Sequence, residues 1–360
     1  MTSVATETSL RVERVPSLDA LRGDWQRLAS VAPSPFSTWE WGAAWWKAFG
    51  RGRELFLHAC RRPGGEVVAV LPLYLATRRG PCRVARFVGH GPADQLGPVC
   101  AAGDRPAVAE ALRSLAREEL GRAGMLIADR MPRDEGWPSL LRARELHREA
   151  TPKISIAGIT WEEWLAGKSR NFRDQVGRRE RKLAREHRVV TRLVTDPDEV
   201  PDAYEKLVQL HEARWGGASR TFAGPRRDFH ADFLSGAAAR GWARLWLLEV
   251  DGQAVAAWYG WRFGEADWYY QAGRAPALER ENVGFVLLCH TIRDAFVAGR
   301  REYRFLLGDD PYKSRFQTDD PELATLALSA GPGAVAAQAA AVAGRSLPQR
   351  ARRSLRRLAS

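Results

Sequence analysis

Apolar and polar positions along the chain follow the same order twice. In each copy, three short runs typical of β-strands precede an irregular loop, an amphipathic helix and a further short strand. In the first copy the predicted elements are strands at 55–60, 67–76 and 84–88, a helix at 105–120 and a strand at 125–128. In the second they are strands at 245–250, 254–263 and 268–272, a helix at 283–298 and a strand at 303–306. The pattern therefore predicts a tandem duplication of one α/β unit.

Turn chemistry and helix faces support this prediction. Asp251-Gly252 lies between two β-rich runs, which is a strong signal for a two-residue hairpin. In the second predicted helix the apolar residues recur on one face, and they are Phe285, Leu288, Cys289, Ile292 and Phe296. Helical segments are also predicted at 37–49, before the first sheet, and at 198–215 and 226–240, before the second. Each half is thus predicted to be a twisted, mostly antiparallel sheet flanked by helices.

A Thr-Pro pair at 151–152 and a glycine turn at Gly158 interrupt the pattern between the two copies. This places an N-terminal half at 1–155, a C-terminal half at 156–330 and a basic tail at 331–360. At its matching strand end the first half has Asp129-Arg130, with no cluster comparable to that of the second half. We therefore expect the first half to be a structural partner.

The formal net charge of +12 is concentrated in two segments. Residues 168–188 hold nine Lys or Arg against three acids, and 345–360 hold six Arg and no acid, so the remainder is neutral. The first segment is predicted to be a helix with a narrow apolar stripe. Such a face is either solvated or attracts polyanions such as cofactor phosphates, nucleic acid or anionic lipid.

Several chemistries find no support in the sequence. It has no phosphate-binding P-loop, no nucleophile elbow and no zinc-binding histidine pair, so neither a nucleotide hydrolase nor a metalloenzyme is expected. The four cysteines lack C-x-x-C spacing, and the first ten residues lack the features of a signal peptide. The longest apolar stretch, 333–344, is too short to span a bilayer. A soluble, cytoplasmic protein is expected.

Two polar clusters are candidate sites. The run 305–316 leaves an apolar strand at Gly308 and then presents Asp309, Asp310, Tyr312 and Lys313, a mixture of acid and base groups at a strand end. The alternative is a polar turn. A second cluster, His211 to Gly217, ends a predicted helix, and Arg214 with Trp215 could hold a substrate there. A basic helix C-terminus ended by glycine explains the same residues.

The chain resembles the BioF-type/cellulose-biosynthesis-type branch of the GNAT acetyltransferases, which is related to the Fem peptidyltransferases. Three features carry the resemblance: Phe36-Ser-Thr-Trp-Glu-Trp41 with the aromatic residues up to Phe49, the basic Ser169-Arg-x-x-Arg segment, and Gly308-Asp-x-x-Tyr-Lys-x-x-Phe316. They span roughly residues 30–328. The resemblance implies two tandem GNAT-like folds and transfer of an acyl group from a thioester, usually acyl-CoA, to an amine.

The resemblance also implies where acyl-CoA binds, in the second half, beside a splayed strand and the start of the following helix. The implied cofactor-binding residues are Tyr270, Gln271, Gly273, Arg274, Asn282 and Gly284. The loop lacks the usual Gln/Arg-x-x-Gly-x-Gly/Ala motif, and only Asn282-Val-Gly284 stands there. No metal is implied.

Catalytic roles are assigned to three residues by chemistry. An alkylammonium with a pKa near 10 must lose a proton before it attacks, and Asp309 is the predicted base, with Asp310 and Glu212 as reserves. Tyr312 is predicted to assist the leaving thiolate, and Lys313 to supply positive charge. The residues predicted to bind substrate are Arg214, Trp215 and Tyr259.

Two other functions remain open. A Fem-like transferase would take aminoacyl groups from charged tRNA, with the basic helix on the RNA, although nucleic acid is not the favoured partner. A non-catalytic scaffold would dock on an anionic membrane through the Arg-rich tail, which would place it at the inner face. The acceptor, a small-molecule or glycan-linked amine, is not identified by the sequence.

Overall fold

The computed structural model describes residues 10–32, 34–77, 83–121 and 124–329. The predicted basic tail at 331–360 and Cys82 lie outside these residues. The strands, in chain order, are β1 (Arg11–Arg14), β2 (Glu54–Arg61), β3 (Val67–Thr77), β4 (Val84–Phe87), β5 (Val99–Cys100), β6 (Met125–Pro132), β7 (Arg144–Glu149), β8 (Lys153–Ser155), β9 (Val189–Val194), β10 (Ala243–Val250), β11 (Gln253–Phe263), β12 (Ala266–Arg274), β13 (Glu302–Arg304) and β14 (Leu323–Ser329). The α-helices are α1 (Arg22–Ala29), α2 (Trp39–Phe49), α3 (Arg105–Glu119), α4 (Trp137–Leu141), α5 (Trp161–Ala166), α6 (Arg170–Glu186), α7 (Val200–Trp215), α8 (Pro225–Ala239), α9 (Val283–Val297) and α10 (Pro311–Phe316).

The described residues form two compact units, each built around one mixed sheet. In the first unit the strand order is β1-β2-β3-β4-β6-β14-β7, and β5 pairs with β3. In the second unit the order is β8-β13-β12-β11-β10-β9. The predicted α/β class with two mixed, mostly antiparallel sheets is confirmed.

The predicted repeat is present in both sheets. In each unit three consecutive strands run antiparallel (β2-β3-β4 and β10-β11-β12), and a helix then leads to a strand parallel to the third. That parallel pairing is short in both units, with three residue pairs between β4 and β6 and three between β12 and β13. The Asp251-Gly252 hairpin forms as predicted, with both residues at positive φ (52° and 84°). Local turn chemistry and helix periodicity were therefore sufficient to locate these elements.

Two segments belong to a different unit from the one that their position in the sequence suggests. The second unit comprises Ala150–Glu322 together with the described residues of Pro33–Arg51, so it includes α2. The first unit comprises Gly52–Glu149 with the described residues of Met1–Ala32 and Leu323–Ser360, so it includes β14. The sequence analysis instead placed 37–49 in the first half and everything up to 330 in the second. Thus one segment from before residue 150 belongs to the second unit, and one segment from after it belongs to the first unit.

Aromatic packing explains why α2 joins the second unit. Trp41 is fully buried and makes edge-to-face contacts with Phe233 at 4.7 Å and Phe229 at 4.9 Å on α8, and with Trp261 at 5.8 Å on β11. Phe36 also packs on Trp261, at 5.6 Å. Such pairs contribute about 0.5–1.5 kcal/mol each beyond the area that they bury. The Phe36–Trp41 motif therefore forms part of the core of the second unit.

A second aromatic layer covers the opposite face of the same sheet. Trp258 stacks on Tyr269 at 5.7 Å and donates a hydrogen bond of 2.9 Å to the hydroxyl of Tyr303, which is fully buried. The apolar faces of α5, α6 and α9 pack over this layer, with Phe172 and Phe316 5.0 Å apart at its end. No helix among the described residues is both long enough and apolar enough to cross a membrane.

Candidate active site

The candidate site begins where β12 and β13 separate. The two strands pair only over Ala266–Trp268 and Glu302–Arg304. Beyond Trp268, β12 continues to Arg274 beside β11, while the chain after Arg304 turns away into α10. One edge of β12 therefore has no strand beside it in the described part of the chain, and its backbone groups border a gap.

A β-bulge lies in β12 at this point. The register passes from Gly260↔Tyr269 to Tyr259↔Gln271, so Tyr270 is the extra residue. Gly260 permits it, because a Cβ there would lie 1.9 Å from the carbonyl oxygen of Trp268. Bulges re-aim neighbouring side chains and often lie next to active sites. Tyr269 lies on the face that contains the gap, and Tyr270 packs on the other face.

Gly273 sets the distance between β12 and the end of α7. A Cβ at Gly273 would lie 2.4 Å from the backbone nitrogen of His211, so no side chain fits there. His211 Nδ1 bonds the carbonyl oxygen of Ala272 at 3.1 Å, and since a carbonyl only accepts, that nitrogen carries the proton. Burial lowers the pKa of His211, which keeps the ring neutral. This contact places Arg214, one helical turn further on, at the mouth of the gap.

A cavity of about 160 Å³ occupies the gap. Its walls come from β11, β12, the start of α9, the end of α7 and α10, and they are mostly apolar or aromatic. The predicted site residues that line it are Arg214, Gly273, Arg274, Asn282, Gly284 and Tyr312. The structure thus brings together six of the twelve residues predicted from the sequence.

The start of α9 forms one end of the cavity. Asn282 precedes the helix with positive φ (56°), and its carbonyl accepts hydrogen bonds from the N–H groups of Phe285 (2.9 Å) and Val286 (3.1 Å). The N–H groups of Val283 and Gly284 precede the first intrahelical bond, as at any helix start, and such groups bind anions. A Cβ at Gly284 would lie 3.3 Å from Arg274 Cδ, a tight contact that the flexible arginine side chain can relieve by a small shift. Arg274 is itself paired with Glu279 at 2.8 Å.

Tyr312 enters the cavity from α10. Its hydroxyl is hydrogen-bonded to that of Tyr269. Burial, reinforced by Tyr269, raises the pKa of Tyr312 above its ordinary value, and burial likewise raises the pKa of Tyr269. Both phenols are therefore protonated at neutral pH and can donate a proton or a hydrogen bond.

The other two predicted catalytic residues lie outside the cavity lining. Lys313 is buried, and its ammonium donates to the carbonyl of Leu307 and pairs with Asp310 at 3.4 Å. Leu306 and Gly308 both have positive φ (60° and 108°), so this lysine secures an unusual turn before α10. Asp309 is exposed in that turn.

Four of the remaining predicted residues are also not in the cavity lining. Tyr259 is fully buried and Tyr270 nearly so, and both pack in the aromatic layer beneath α2 and α8, where they lie 5.7 Å apart. Gln271 is half-buried beside the bulge. Trp215 is 45% exposed, with the guanidinium of Arg214 4.5 Å over its ring.

Residues that the sequence analysis missed complete the walls. Trp258, Tyr269 and Phe285 line the cavity, and Arg179 of α6 lies 4.5 Å over the ring of Phe285. The run Trp268-Tyr269-Tyr270 predicted aromatic residues at this strand, but alternation alone could not show which of them faces the gap, because both faces of the strand are aromatic. Arg179 belongs to the basic segment 168–188, and the sequence did not predict that this segment packs beside the cavity wall.

The first unit has a corresponding gap, which contains charge. A cavity of about 250 Å³ lies where β4 and β6 separate, with His90, Asp129, Arg130 and Glu149 among its walls. This differs from the sequence analysis, which expected no polar cluster there. Arg86 pairs with Asp129 at 2.5 Å, and Arg130 with Glu149 at 3.4 Å. The charged groups of this gap are therefore engaged with one another.

Comparisons with known proteins agree with the geometry. Residues 170–314 match the acetyltransferase (GNAT) domain family model. Among solved structures, FemX is similar with a TM-score of 0.59 at 13% identity, over 86% of this chain and 94% of that chain. The C-terminal domain of a protein described as a lysylphosphatidylglycerol synthetase from Agrobacterium fabrum gives a TM-score of 0.56 at 13% identity, over 91% and 96%. L-PGS from Bacillus licheniformis gives a TM-score of 0.53 at 13% identity, over 86% of this chain and 96% of that chain. No curated protein matches the sequence.

Proposed function

The chain carries a GNAT acetyltransferase domain at residues 170–314, and on that premise we propose that its second unit transfers an acyl group from acyl-CoA to an amine acceptor. The observation that carries the proposal is the cavity between the free edge of β12 and the start of α9, with Tyr312 in its wall. An apolar slot that ends at a helix N-terminus suits a ligand with an extended arm and a phosphate-bearing end.

The cavity residues fit such a donor. The walls formed by Trp258, Phe285 and Leu287 are apolar. The N–H groups at Val283 and Gly284 have no acceptor within the helix, so they are suited to bind phosphate. Arg214 supplies positive charge to the cavity wall, whereas the charge of Arg274 is shared with Glu279. The thioester itself supplies an acyl carbon with a thiolate leaving group.

The chain's own residues then have distinct tasks. Backbone N–H groups on the free edge of β12 are available to hold the carbonyl oxygen as negative charge develops on it. Tyr312 donates a hydrogen bond to the departing sulfur, because its raised pKa keeps the phenol protonated. Asp309, exposed before α10, accepts the proton of the amine through water. Full activity of Asp309→Asn would remove it from this role.

The proposal is tested by putting charge at the start of α9. Gly284→Asp is expected to lower the affinity for acetyl-CoA at least tenfold, about 1.4 kcal/mol, because a carboxylate there repels phosphate. The helix itself is not weakened, since an acidic residue in the first turn is favourable. Gly284→Ala is the matched control, with the same added Cβ and no charge. Isothermal titration calorimetry measures both, and equal affinities for the two variants would contradict the proposed site.

A second candidate is an aminoacyl group carried on tRNA, and α6 is the observation that favours it. Part of the basic segment has structural partners, since Lys168 donates to the carbonyls of Phe316 (2.8 Å) and Gln317 (3.2 Å). Arg178, Arg181 and Arg185 remain exposed on α6. Neutralising these three would weaken tRNA binding and flatten its salt dependence while acetyl-CoA binding is unchanged. Absence of any acetyl-CoA binding by the unmodified protein would favour this donor.

A further inference from the structure

A separate cavity in the first unit is surrounded by arginines. It has a volume of about 380 Å³ and lies between α3, the end of α4 and the ends of β7 and β14. Four arginines line it, namely Arg113, Arg117, Arg142 and Arg144. Because β7 is the last strand of the sheet, this cavity lies at an edge of the unit, away from the gap between β4 and β6.

The positive charge of this arginine pocket is not balanced within it. No acidic side chain of the described residues lines it. Among the acidic residues that the structure describes, Glu110 reaches two of the arginines: it pairs with Arg113 and lies 3.7 Å from Arg117. Burial and the neighbouring charges of Arg142 and Arg117 lower the pKa of Arg113, which is the expected effect of like charges held together. A bound anion would relieve this repulsion.

The backbone at Arg142 adds a second observation. Arg142 follows the last residue of α4 with positive φ (48°), a conformation that helix ends normally give to glycine or asparagine. Strained residues of this kind persist where the surrounding structure or a function requires them. Here the strain places an exposed arginine at the rim, next to Arg144, and the structure gives neither of them a partner among the described residues.

The floor of the arginine pocket is apolar. It consists of Ala116, Leu141, Ala327 and Leu328, and the cavity is larger than a phosphate group alone needs. Guanidinium groups match phosphate oxygens in bidentate geometry, and apolar floors retain hydrocarbon. We propose that the arginine pocket binds the phosphate of an amphiphilic molecule, with its hydrocarbon part on the Leu141–Leu328 floor. This site is independent of the proposed transferase reaction.

Calorimetric titration of the full chain tests the proposal, with inorganic phosphate, hexyl phosphate and vesicles of phosphatidic acid in phosphatidylcholine as probes. At about 0.15 M salt, which suppresses weak surface attraction, hexyl phosphate is expected to bind more tightly than inorganic phosphate. Arg142→Ala and Arg144→Ala should each weaken hexyl phosphate at least fivefold. Arg11→Ala is the matched control, because it removes an exposed arginine from β1 at the opposite edge of the same sheet.

The vesicle arm identifies the source of the phosphate. Binding to phosphatidic acid vesicles that is lost in Arg144→Ala would assign the pocket to a lipid headgroup. Binding of hexyl phosphate without vesicle binding would assign it to a soluble phosphate ester. Unchanged affinity in both pocket variants, an equal loss in Arg11→Ala, or no binding of any probe would overturn the proposal.

Discussion

In each unit the third strand of the repeat separates from the parallel strand beside it, but the side chains that line the two resulting gaps differ. Between β12 and β13 the walls are aromatic and apolar, with a helix start at one end and a protonated tyrosine at the side. Between β4 and β6 the walls are charged, and two ion pairs form there, Arg86 with Asp129 and Arg130 with Glu149. The comparison teaches that a separated strand pair is a property of the repeated fold, whereas a donor site also needs walls with unused binding capacity.

Gly273→Ala is expected to have the largest effect on this comparison. The added Cβ would overlap the backbone of α7 at His211, so either β12 or α7 must move. We expect a loss of about 4 kcal/mol in the free energy of unfolding, together with loss of the cavity. Urea denaturation measures the first effect and acetyl-CoA titration the second. Gly284→Ala should leave stability nearly unchanged, and equal stabilities of the two variants would show that the close approach is not required.

Asp129→Asn tests the ion pairs of the first gap. Asp129 and Arg86 have side chains only 7% and 14% exposed, so removing one charge leaves the other buried and unpaired. A loss of about 3 kcal/mol in the free energy of unfolding is expected, with acetyl-CoA affinity unchanged per folded molecule. Arg11→Ala, which breaks an exposed pair, should leave the denaturation midpoint in place. If the Asp129→Asn protein is stable but no longer binds acetyl-CoA, the donor binds in the first gap and not in the second.

Tyr312→Phe tests the chemistry of the second gap. Loss of the hydroxyl is expected to lower kcat about 100-fold, because the departing sulfur loses its hydrogen-bond donor, while KM for the donor changes little because the ring remains. Since the pKa of Tyr312 is raised, the group stays protonated at least up to its ordinary value near 10, so its titration causes no fall in rate below pH 10. Steady-state kinetics from pH 6 to about 10 measures both. A fall in rate near neutral pH that disappears in Tyr312→Phe would contradict the raised pKa.

The sequence predicted what local rules determine. The Asp-Gly hairpin, the apolar face of α9 and the repeated order of elements follow from turn chemistry and periodicity, and all are present. The strand β14 and the place of α2 depend on contacts between residues far apart in the chain, and periodicity contains no information about these. The aromatic richness of 36–49 was visible, but not the sheet on which it packs.

The candidate site was predicted in the same uneven way. Gly273, Asn282 and Gly284, which the family resemblance implied, all line the cavity. Tyr270 and Tyr259 face the other side of the sheet with Trp261, and because both faces of β11 and β12 are aromatic, alternation could not show which face borders the gap. Lys313 looked like a free cation in the sequence, and only the fold shows that its ammonium is used by the turn before α10.

Hydrogen–deuterium exchange of the full chain with and without saturating acetyl-CoA tests the central claim most directly, because it reports both gaps at once. The account predicts slower exchange in Trp268–Arg274 and at the start of α9, with no change in β4 or β6. Protection of β4 and β6 instead, or no protection around β12, would contradict the assignment of the donor site to the second unit.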